Sequence, residues 1–198
     1  MHEAGQEPRL PLAVWLLAAL VAVGIAVEFC VIYFGAELLA TDGWSSTSAT
    51  TAMSGFYVGI LAGRVAGGRL VRRPGRTTSL LWTSLALTTA GFTLFWLSAD
   101  PALALAGLLA AGLGVANLFP LSLALTLAVA PERADAANGA AQLLAGLVVI
   151  AAPLALGTLA DQVGLRVAFA TEPFLIATSA VLLLLGGLRA TRRPSRTR

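Results

Sequence analysis

The sequence contains no lysine, one cysteine and one histidine, and these absences exclude several kinds of chemistry. A Walker-type phosphate loop needs a lysine, so the chain cannot hydrolyse ATP by that route. The single Cys30 can form neither an intrachain disulfide nor a cysteine metal cluster. His2 lies in the amino-terminal tail, and no nucleophile and base are suitably paired for hydrolysis. We therefore predict that the chain is not an enzyme, with no catalytic residue, no metal site and no cofactor.

Charged residues are scarce as well. They make up 12% of the 198 residues, whereas 58% are hydrophobic and the mean hydropathy is +0.84. A soluble domain usually carries about 25% charged residues, because water covers its surface. Contact with membrane lipid removes that need. The excess charge of +3 comes from arginines beside apolar segments, which is typical of membrane topology and does not indicate nucleic-acid binding.

Six apolar segments are long enough to cross a membrane as helices, which takes about 20 residues. They are Leu12–Leu39, Thr47–Leu70, Thr77–Ser98, Ala102–Val129, Ala136–Ala160 and Val167–Leu188. Turn-forming residues separate them. We predict an all-α, polytopic membrane protein with a six-helix transmembrane bundle at 12–188. An amino-terminal tail covers 1–11, and a basic tail covers 189–198.

The arginines predict the orientation of this bundle, because cytoplasmic loops carry an excess of positive charge. With the amino terminus in the cytoplasm, twelve of the thirteen arginines fall in cytoplasmic segments. The external loops then hold Arg166 with three acidic residues, Asp42, Asp100 and Asp161. We predict a multi-pass protein of the cell membrane with both termini cytoplasmic.

Two loop sequences indicate an internal repeat. Gly68–Arg76 links the second and third segments, and Gly157–Arg166 links the fifth and sixth. Both contain Gly-x3-polar-polar-x-Gly, and they start 89 residues apart (157 − 68). Because each repeat contains an odd number of helices, three, the second copy must be inverted in the membrane. Two inverted three-helix repeats are typical of secondary transporters.

These features resemble the carboxy-terminal half of a major facilitator superfamily transporter over nearly the whole chain, from Leu12 to Leu188. The most specific elements are the turn Gly63–Arg76, the segment Asn117-Leu-Phe-Pro120 and the motif Ala152–Phe169. The resemblance implies secondary active transport of a small solute by rocker-like alternating access. It also implies a gating turn and a corresponding turn in the second repeat. The first comprises Gly68, Arg72, Arg73, Gly75 and Arg76, and the second Gly157, Asp161, Gly164 and Arg166.

The chain departs from the family in two respects. The family turn is Gly-x3-Asp-Arg-x-Gly-Arg, and Arg72 stands where the aspartate belongs. Family members normally have twelve helices in two halves, whereas this chain supplies six. We expect either a fragment of a transporter or a half that dimerises. The expected partners are lipid, a small-molecule substrate, and a second six-helix half or a second copy of the chain.

Glu28 is the strongest candidate for a residue that lines the transport path. A carboxylate inside an apolar helix costs roughly 2.5–3.5 kcal/mol, so it should face protein or a water-filled cavity. It could bind a proton, a cation or an amine of the substrate. A structural ion pair with Arg64 is the alternative, but the two positions differ in depth by roughly 15 Å along upright helices, which argues against it. Glu37 and Glu172 lie near the outer helix ends, where interfacial solvation accounts for both.

Other polar and aromatic residues are candidates for the same path. Pro120 should distort the fourth helix, because it frees the carbonyl of Ala116. Asn117 would then bind substrate or satisfy the freed backbone. Gln142 in the fifth helix has the same two interpretations. Phe29 and Tyr33 would line the cavity, or simply pack. Pro153 predicts a bend in the fifth helix.

Four glycines recur every four residues along the second helix. They are Gly55, Gly59, Gly63 and Gly67. This spacing places them on one face, where a neighbouring backbone can approach closely. The stripe predicts helix packing, and a sliding surface for alternating access is the functional alternative.

Two other classes of protein compete with the transporter. A non-transporting six-helix membrane scaffold or assembly protein would need no water-filled cavity. An intramembrane enzyme is disfavoured, because the apolar segments contain no histidine and no convincing catalytic pair.

Overall fold

A computed structural model describes residues 9–71 and 75–191 of the chain. The described residues form eight α-helices and one short 3-10 helix, and they contain no strand, which confirms the all-α class. The helices are α1 (Leu12–Thr41), α2 (Ser46–Leu70), α3 (Thr77–Leu97), α4 (Pro101–Val115), α5 (Leu118–Val129), α6 (Ala134–Val163), α7 (Leu165–Ala168) and α8 (Thr171–Thr191), with the 3-10 helix at Pro131–Arg133.

Five helical segments of the described chain are long and apolar enough to cross a membrane. They are Leu12–Thr41, Thr77–Leu97, Pro101–Val129, Pro131–Val163 and Leu165–Ala190. Helix α2 has 25 residues, which is long enough, but its first half is rich in serine and threonine. Five of the six predicted spans are therefore confirmed by length and hydropathy, and α2 is the exception.

Helix α1 lies at the centre of the bundle. Of its most apolar window, 67% of the residues are buried, against 17% for the window of α6. Its sequence is apolar on every face, as expected for a helix surrounded by protein. Helices α6 and α8 pack mainly against α1, whereas α2 and α3 pack mainly against α4. The helices therefore pack around two of their number, α1 and α4, and the largest cluster of buried side chains includes residues of both.

Helix ends follow from local sequence. Ser45 accepts a hydrogen bond from the N–H of Ser48 and caps α2. Asp100 accepts from the N–H groups of Ala102 and Leu103 at the start of α4. Such side chains satisfy backbone donors that have no partner within a helix. Ser45 and Asp100 both lie between predicted spans, in stretches where turn-forming residues predicted loops.

Candidate functional site

The fourth predicted span is interrupted near its middle. Helix α4 ends at Val115 and α5 begins at Leu118, so Ala116 and Asn117 lie between them. This is the distortion predicted from Pro120, which has no N–H to donate to the preceding turn. The side-chain Nδ2 of Asn117 donates a hydrogen bond to the carbonyl oxygen of Gly63 on α2, at 3.0 Å. Asn117 thus contacts a neighbouring helix at the interruption.

The glycine stripe of α2 lies against α4. A Cβ added to Gly59 would lie 2.3 Å from the carbonyl oxygen of Leu109, and one added to Gly63 would lie 2.6 Å from that of Leu113. At Gly67 it would lie 1.9 Å from Oδ1 of Asn117. At Gly55 the nearest atom is 4.0 Å away, so the spacing is wider there. At positions 59, 63 and 67, only glycine fits without a shift of the neighbouring α4–α5 segment.

Glu28 and Arg64 form an ion pair between α1 and α2. Arg64 Nη2 lies 3.7 Å from Glu28 Oε1, and the side chains are 58% and 11% exposed, respectively. The sequence-based argument against this pair was wrong. It compared Cα depths along upright helices and ignored the reach of an arginine side chain, whose long stem carries the charged group well away from its backbone.

A cleft of about 580 Å³ opens beside the interruption, between the end of α2 and the start of α5. Its lining combines Arg64 and Asn117 with small and apolar side chains. The other lining residues are Gly67, Gly68, Val71, Phe119, Pro120, Leu121 and Ala124. A few polar groups in a mostly apolar concavity are typical of small-molecule sites.

A second cleft, of about 560 Å³, lies between the last third of α1 and the second half of α6. Tyr33, Glu37, Gly157 and Asp161 are among its lining residues. The ring of Phe29 lies 6.2 Å from that of Tyr33, centroid to centroid, and Tyr33 is 61% exposed. Glu37 is exposed as well. The structure therefore places the two aromatic candidates, Phe29 and Tyr33, in or beside this second cleft. Asn117 lines the first cleft instead.

Gln142 occupies a different part of the surface. It lies on the exposed side of α6, between Ala141 and Leu143, whereas Ala141 faces α1. Pro153 is buried within α6, which continues without interruption from Ala134 to Val163. The bend predicted from Pro153 stays a prediction.

The two repeat turns are described to different extents. Arg72 and Arg73 lie outside the described residues. Gly68 is exposed with open space around it, and Arg76 immediately precedes α3. Gly75 and Gly164 both have positive φ, 78° and 85°, a backbone conformation that glycine adopts without steric cost. The two glycines that end the repeated motif therefore share a positive φ.

Arg166 joins three parts of the chain at the end of the bundle predicted to be external. Its guanidinium forms an ion pair with Asp42, after α1, and donates a hydrogen bond to the carbonyl oxygen of Trp96 at 2.7 Å. The indole Nε1 of Trp96 in turn donates to the carbonyl oxygen of Arg166, at 3.0 Å. The sequence placed Arg166 and Asp42 on one side of the membrane, but only the fold brings Trp96 to them.

Glu172 is not solvated, contrary to the sequence-based expectation. It has no exposed surface, and among the described residues neither carboxyl oxygen has a hydrogen-bond partner of normal geometry. Helix α8 packs against α1, and Cys30 on α1 lies beside the carboxyl group of Glu172. A position near a helix end in sequence is therefore not at the surface in the fold.

Comparison with known proteins assigns the family. A family model described as Major Facilitator Superfamily matches residues 12–198, which is nearly the whole chain. No curated protein sequence matches the chain. Members of this family are transporters and not enzymes, which agrees with the apolar helices of this chain. The chain belongs to the major facilitator superfamily.

Proposed function

We propose that the chain is one half of a secondary transporter, which moves a small solute across the cell membrane by alternating access. The observation that carries this proposal is the Glu28–Arg64 ion pair, which adjoins a cleft at an interrupted helix. Interrupted membrane helices are tolerated where the backbone lines a cavity or is buried in protein. Arg64 reaches this cleft and Glu28 at the same time.

Helix α2 is the proposed sixth span, and its exposed face supports a cavity or partner there. Thr50, Thr51 and Ser54 are exposed, and the side chain of Arg64 is 58% exposed. A charged side chain such as that of Arg64 is costly against lipid tails. A second six-helix unit, either another half or a second copy of this chain, would cover this face and complete a water-filled path between the two units.

Two inverted three-helix repeats are part of this proposal, and three observations support them. Gly75 and Gly164 are 89 residues apart and share positive φ. The first cleft contains Arg64, Gly68 and Val71, and the second contains Pro153, Gly157 and Ala160, each again 89 positions later. Helices α2 and α3 pack on α4, as α6 and α8 pack on α1.

The ion pair suggests how an ion gradient could be coupled to movement. A proton or another cation at Glu28 would weaken its attraction for Arg64, and Arg64 would then be free to bind an anionic group or to face water. Because the bound cation also neutralises Glu28, breaking the pair in this way leaves no buried carboxylate without a compensating charge. Such a link between α1 and α2 suits a transition between two states.

Thiol labelling tests for a water-filled cleft. In a Cys30→Ala background, Arg64→Cys should react with a membrane-impermeant thiol reagent after the cytoplasmic side is opened. Val181→Cys is the matched control, because Val181 on α8 is 51% exposed within an apolar span but lines neither of the two clefts. Reaction at 64 and none at 181 supports the cavity. Absence of labelling at both positions would contradict the presence of a water-filled cavity.

Transport itself is tested in reconstituted vesicles with an entrapped pH-sensitive dye, by adding amines, sugars and organic acids in turn. Wild-type protein should transport at least one solute with a pH-dependent rate, and Glu28→Gln should lose that pH dependence at equal reconstitution. An unchanged rate and pH profile in Glu28→Gln would remove Glu28 from the mechanism.

A non-transporting membrane scaffold is the second candidate. One observation favours it, because the Asn117 amide is engaged with Gly63 in helix packing. A scaffold predicts that Arg64→Cys is covered by a permanent protein partner and stays unlabelled in every condition.

A further inference from the structure

A third cleft, of about 570 Å³, opens at the end of the bundle that the arginines predict to be cytoplasmic. Within the described chain, it lies where α5 and α8 both pack against α1 and α3 but make at most slight contact with each other. Its lining residues are Leu17, Thr78, Leu125, Ala128, Val129, Leu183, Gly187 and Ala190. None of them lines the two clefts described above, so the proposed transport path does not use this cleft.

Small side chains account for the gap between α5 and α8. Ala128 on α5 and both Gly187 and Ala190 on α8 line the cleft, and none of these side chains is larger than a methyl group. A Cβ added to Gly187 would meet nothing within 4 Å, whereas one added to the adjacent Gly186 would lie 2.7 Å from Cδ2 of Leu17. Gly186 therefore belongs to the packed interior, and Gly187 belongs to the wall of an open cleft.

The lining of this cleft suits a hydrocarbon chain. Thr78 carries the only polar side chain among the lining residues. The four helices around the cleft belong to segments that are long and apolar enough to cross a membrane, so lipid is the medium that meets the cleft. The cleft also lies within the range of about 300–1,000 Å³ that small-molecule pockets have.

Two arginines flank the cleft from different helices. Arg76 immediately precedes α3, two residues before Thr78, and Arg189 lies beside Ala190 in the last turn of α8. Both are exposed, and within the described chain neither takes part in an ion pair. Topology alone predicts arginines at a cytoplasmic end. It does not explain why two of them, on separate helices, border one apolar cleft.

We propose that this cleft binds one anionic phospholipid of the cytoplasmic leaflet, with an acyl chain between α5 and α8 and the phosphate beside Arg76 and Arg189. Basic groups at the cytoplasmic ends of membrane helices attract anionic headgroups, and guanidinium groups form charge-assisted hydrogen bonds with phosphate. The acyl chain supplies little selectivity, because the surrounding lipid is as apolar as the cleft. Selectivity therefore depends on headgroup charge, and each arginine should contribute roughly fivefold to it.

Other occupants fit this cleft less well. Residues 192–198, which follow α8, read Arg-Arg-Pro-Ser-Arg-Thr-Arg, so they carry the same charge as the flanking arginines and offer no long apolar side chain. A helix of a partner protein needs a groove along much of its length, whereas this cleft is confined to about the last two turns of α5 and α8. A free phosphate ion would leave the apolar part of the cleft unfilled.

Native mass spectrometry of the purified full chain tests the proposal, after incubation with phosphatidylglycerol or with phosphatidylcholine of the same acyl chains. The wild type should retain one phosphatidylglycerol in preference to phosphatidylcholine. Arg76→Gln and Arg189→Gln should each lower the retention of phosphatidylglycerol roughly fivefold. Arg69→Gln is the control, because Arg69 is exposed near the end of α2 and does not border the cleft. Equal retention of the two lipids, or unchanged retention in the double variant of Arg76 and Arg189, would overturn the proposal.

Filling the cleft provides a second test. Gly187→Phe should abolish the selective retention of phosphatidylglycerol, because the ring occupies the space of the acyl chain. Gly146→Phe on α6 is the matched control, since a Cβ there also meets nothing within 4 Å and position 146 does not line the cleft. Equal retention by these two variants would contradict the proposal.

Inorganic phosphate distinguishes a lipid site from a site for a free anion. Excess phosphate should displace the lipid no more than sodium chloride of equal ionic strength does, and selective displacement by phosphate would overturn the proposal. None of these measurements requires transport, so the lipid site and the proposed transport activity can fail separately.

Discussion

The side-chain amide of Asn117 and the carbonyl oxygen of Gly63 form a hydrogen bond of 3.0 Å that joins the interrupted α4–α5 segment to α2. One helical turn further along, a Cβ on Gly67 would lie 1.9 Å from Oδ1 of the same asparagine. The amide thus occupies the space that the missing side chain leaves. Helix packing and the edge of the cleft depend on the same three residues.

Gly67→Ala should destabilise the protein by displacing Asn117. Overpacking of this kind typically costs about 1–3 kcal/mol, which lowers Tm by roughly 2–4 °C per kcal/mol in a chain of this size. Adding Asn117→Ala should recover part of that loss, since it removes the colliding side chain. Differential scanning fluorimetry of the single and double variants measures this coupling.

The adjacent Gly68→Ala is the matched control, because an added Cβ there meets open space. It should leave Tm unchanged or raise it slightly, since alanine favours helix. Equal destabilisation by both substitutions, or strict additivity of Gly67→Ala with Asn117→Ala, would contradict the packing interpretation.

Arg64→Gln should destabilise the protein more than Glu28→Gln does. Removing the arginine leaves a buried carboxylate without its cation, whereas removing the carboxylate leaves an arginine that is already 58% exposed. Breaking a fully buried pair costs about 3–5 kcal/mol, and the exposure of Arg64 reduces that figure here. Apparent Tm at neutral pH measures the difference.

The double variant Arg64→Gln with Glu28→Gln should be more stable than Arg64→Gln alone. Arg69→Gln is the control, because Arg69 is exposed on the same helix. If Glu28→Gln lowered the apparent Tm more than Arg64→Gln did, Arg64 would not be the group that compensates the charge of Glu28.

Asp42→Asn and Arg166→Gln should each lower the stability slightly and should not add. Both side chains are partly exposed, so we expect about 0.2–1 kcal/mol for the pair, decreasing with salt. The double variant should resemble the more severe single variant when Tm is measured in low and high salt. Asp161→Asn, an exposed change at the same end, serves as the control. Additive losses would mean that the two groups act independently.

The predicted orientation is tested by labelling intact cells that express the Cys30→Ala protein. A cysteine in place of Asp100 should react with a membrane-impermeant reagent from outside, because it lies in a predicted external loop. A cysteine in place of Glu132 should react only after permeabilisation, because the Pro131–Arg133 segment is predicted to be cytoplasmic. Labelling of Glu132→Cys in intact cells would show that the orientation is the reverse of the predicted one.

Local patterns were sufficient to predict the helices. Apolar length and turn residues located α1, α3 and α6 to within a few residues, and Pro120 located the interruption after Val115. The four-residue spacing of Gly59, Gly63 and Gly67 identified the face of α2 that packs closely against the α4–α5 segment. These features depend on neighbours along the chain, so the sequence contains them directly.

Contacts between distant residues were harder to predict. Helix depth alone argued against the Glu28–Arg64 pair, since it ignored side-chain reach and the way α1 and α2 approach each other. Glu172 was expected to be solvated because it lies near a helix end. Its burial depends on α1 packing over α8, and no local signal at position 172 indicates this contact.

The amino-acid sequence by itself determined that this protein is all-α and apolar enough for a membrane, because hydropathy and helix periodicity are properties of short segments. Its match to a family model assigned it to the major facilitator superfamily. Only the tertiary structure decided which polar groups meet: Asn117 with Gly63, Arg64 with Glu28, and Glu172 with Cys30. Each of these contacts joins residues on different helices, so it depends on how whole helices pack and on where each side chain reaches.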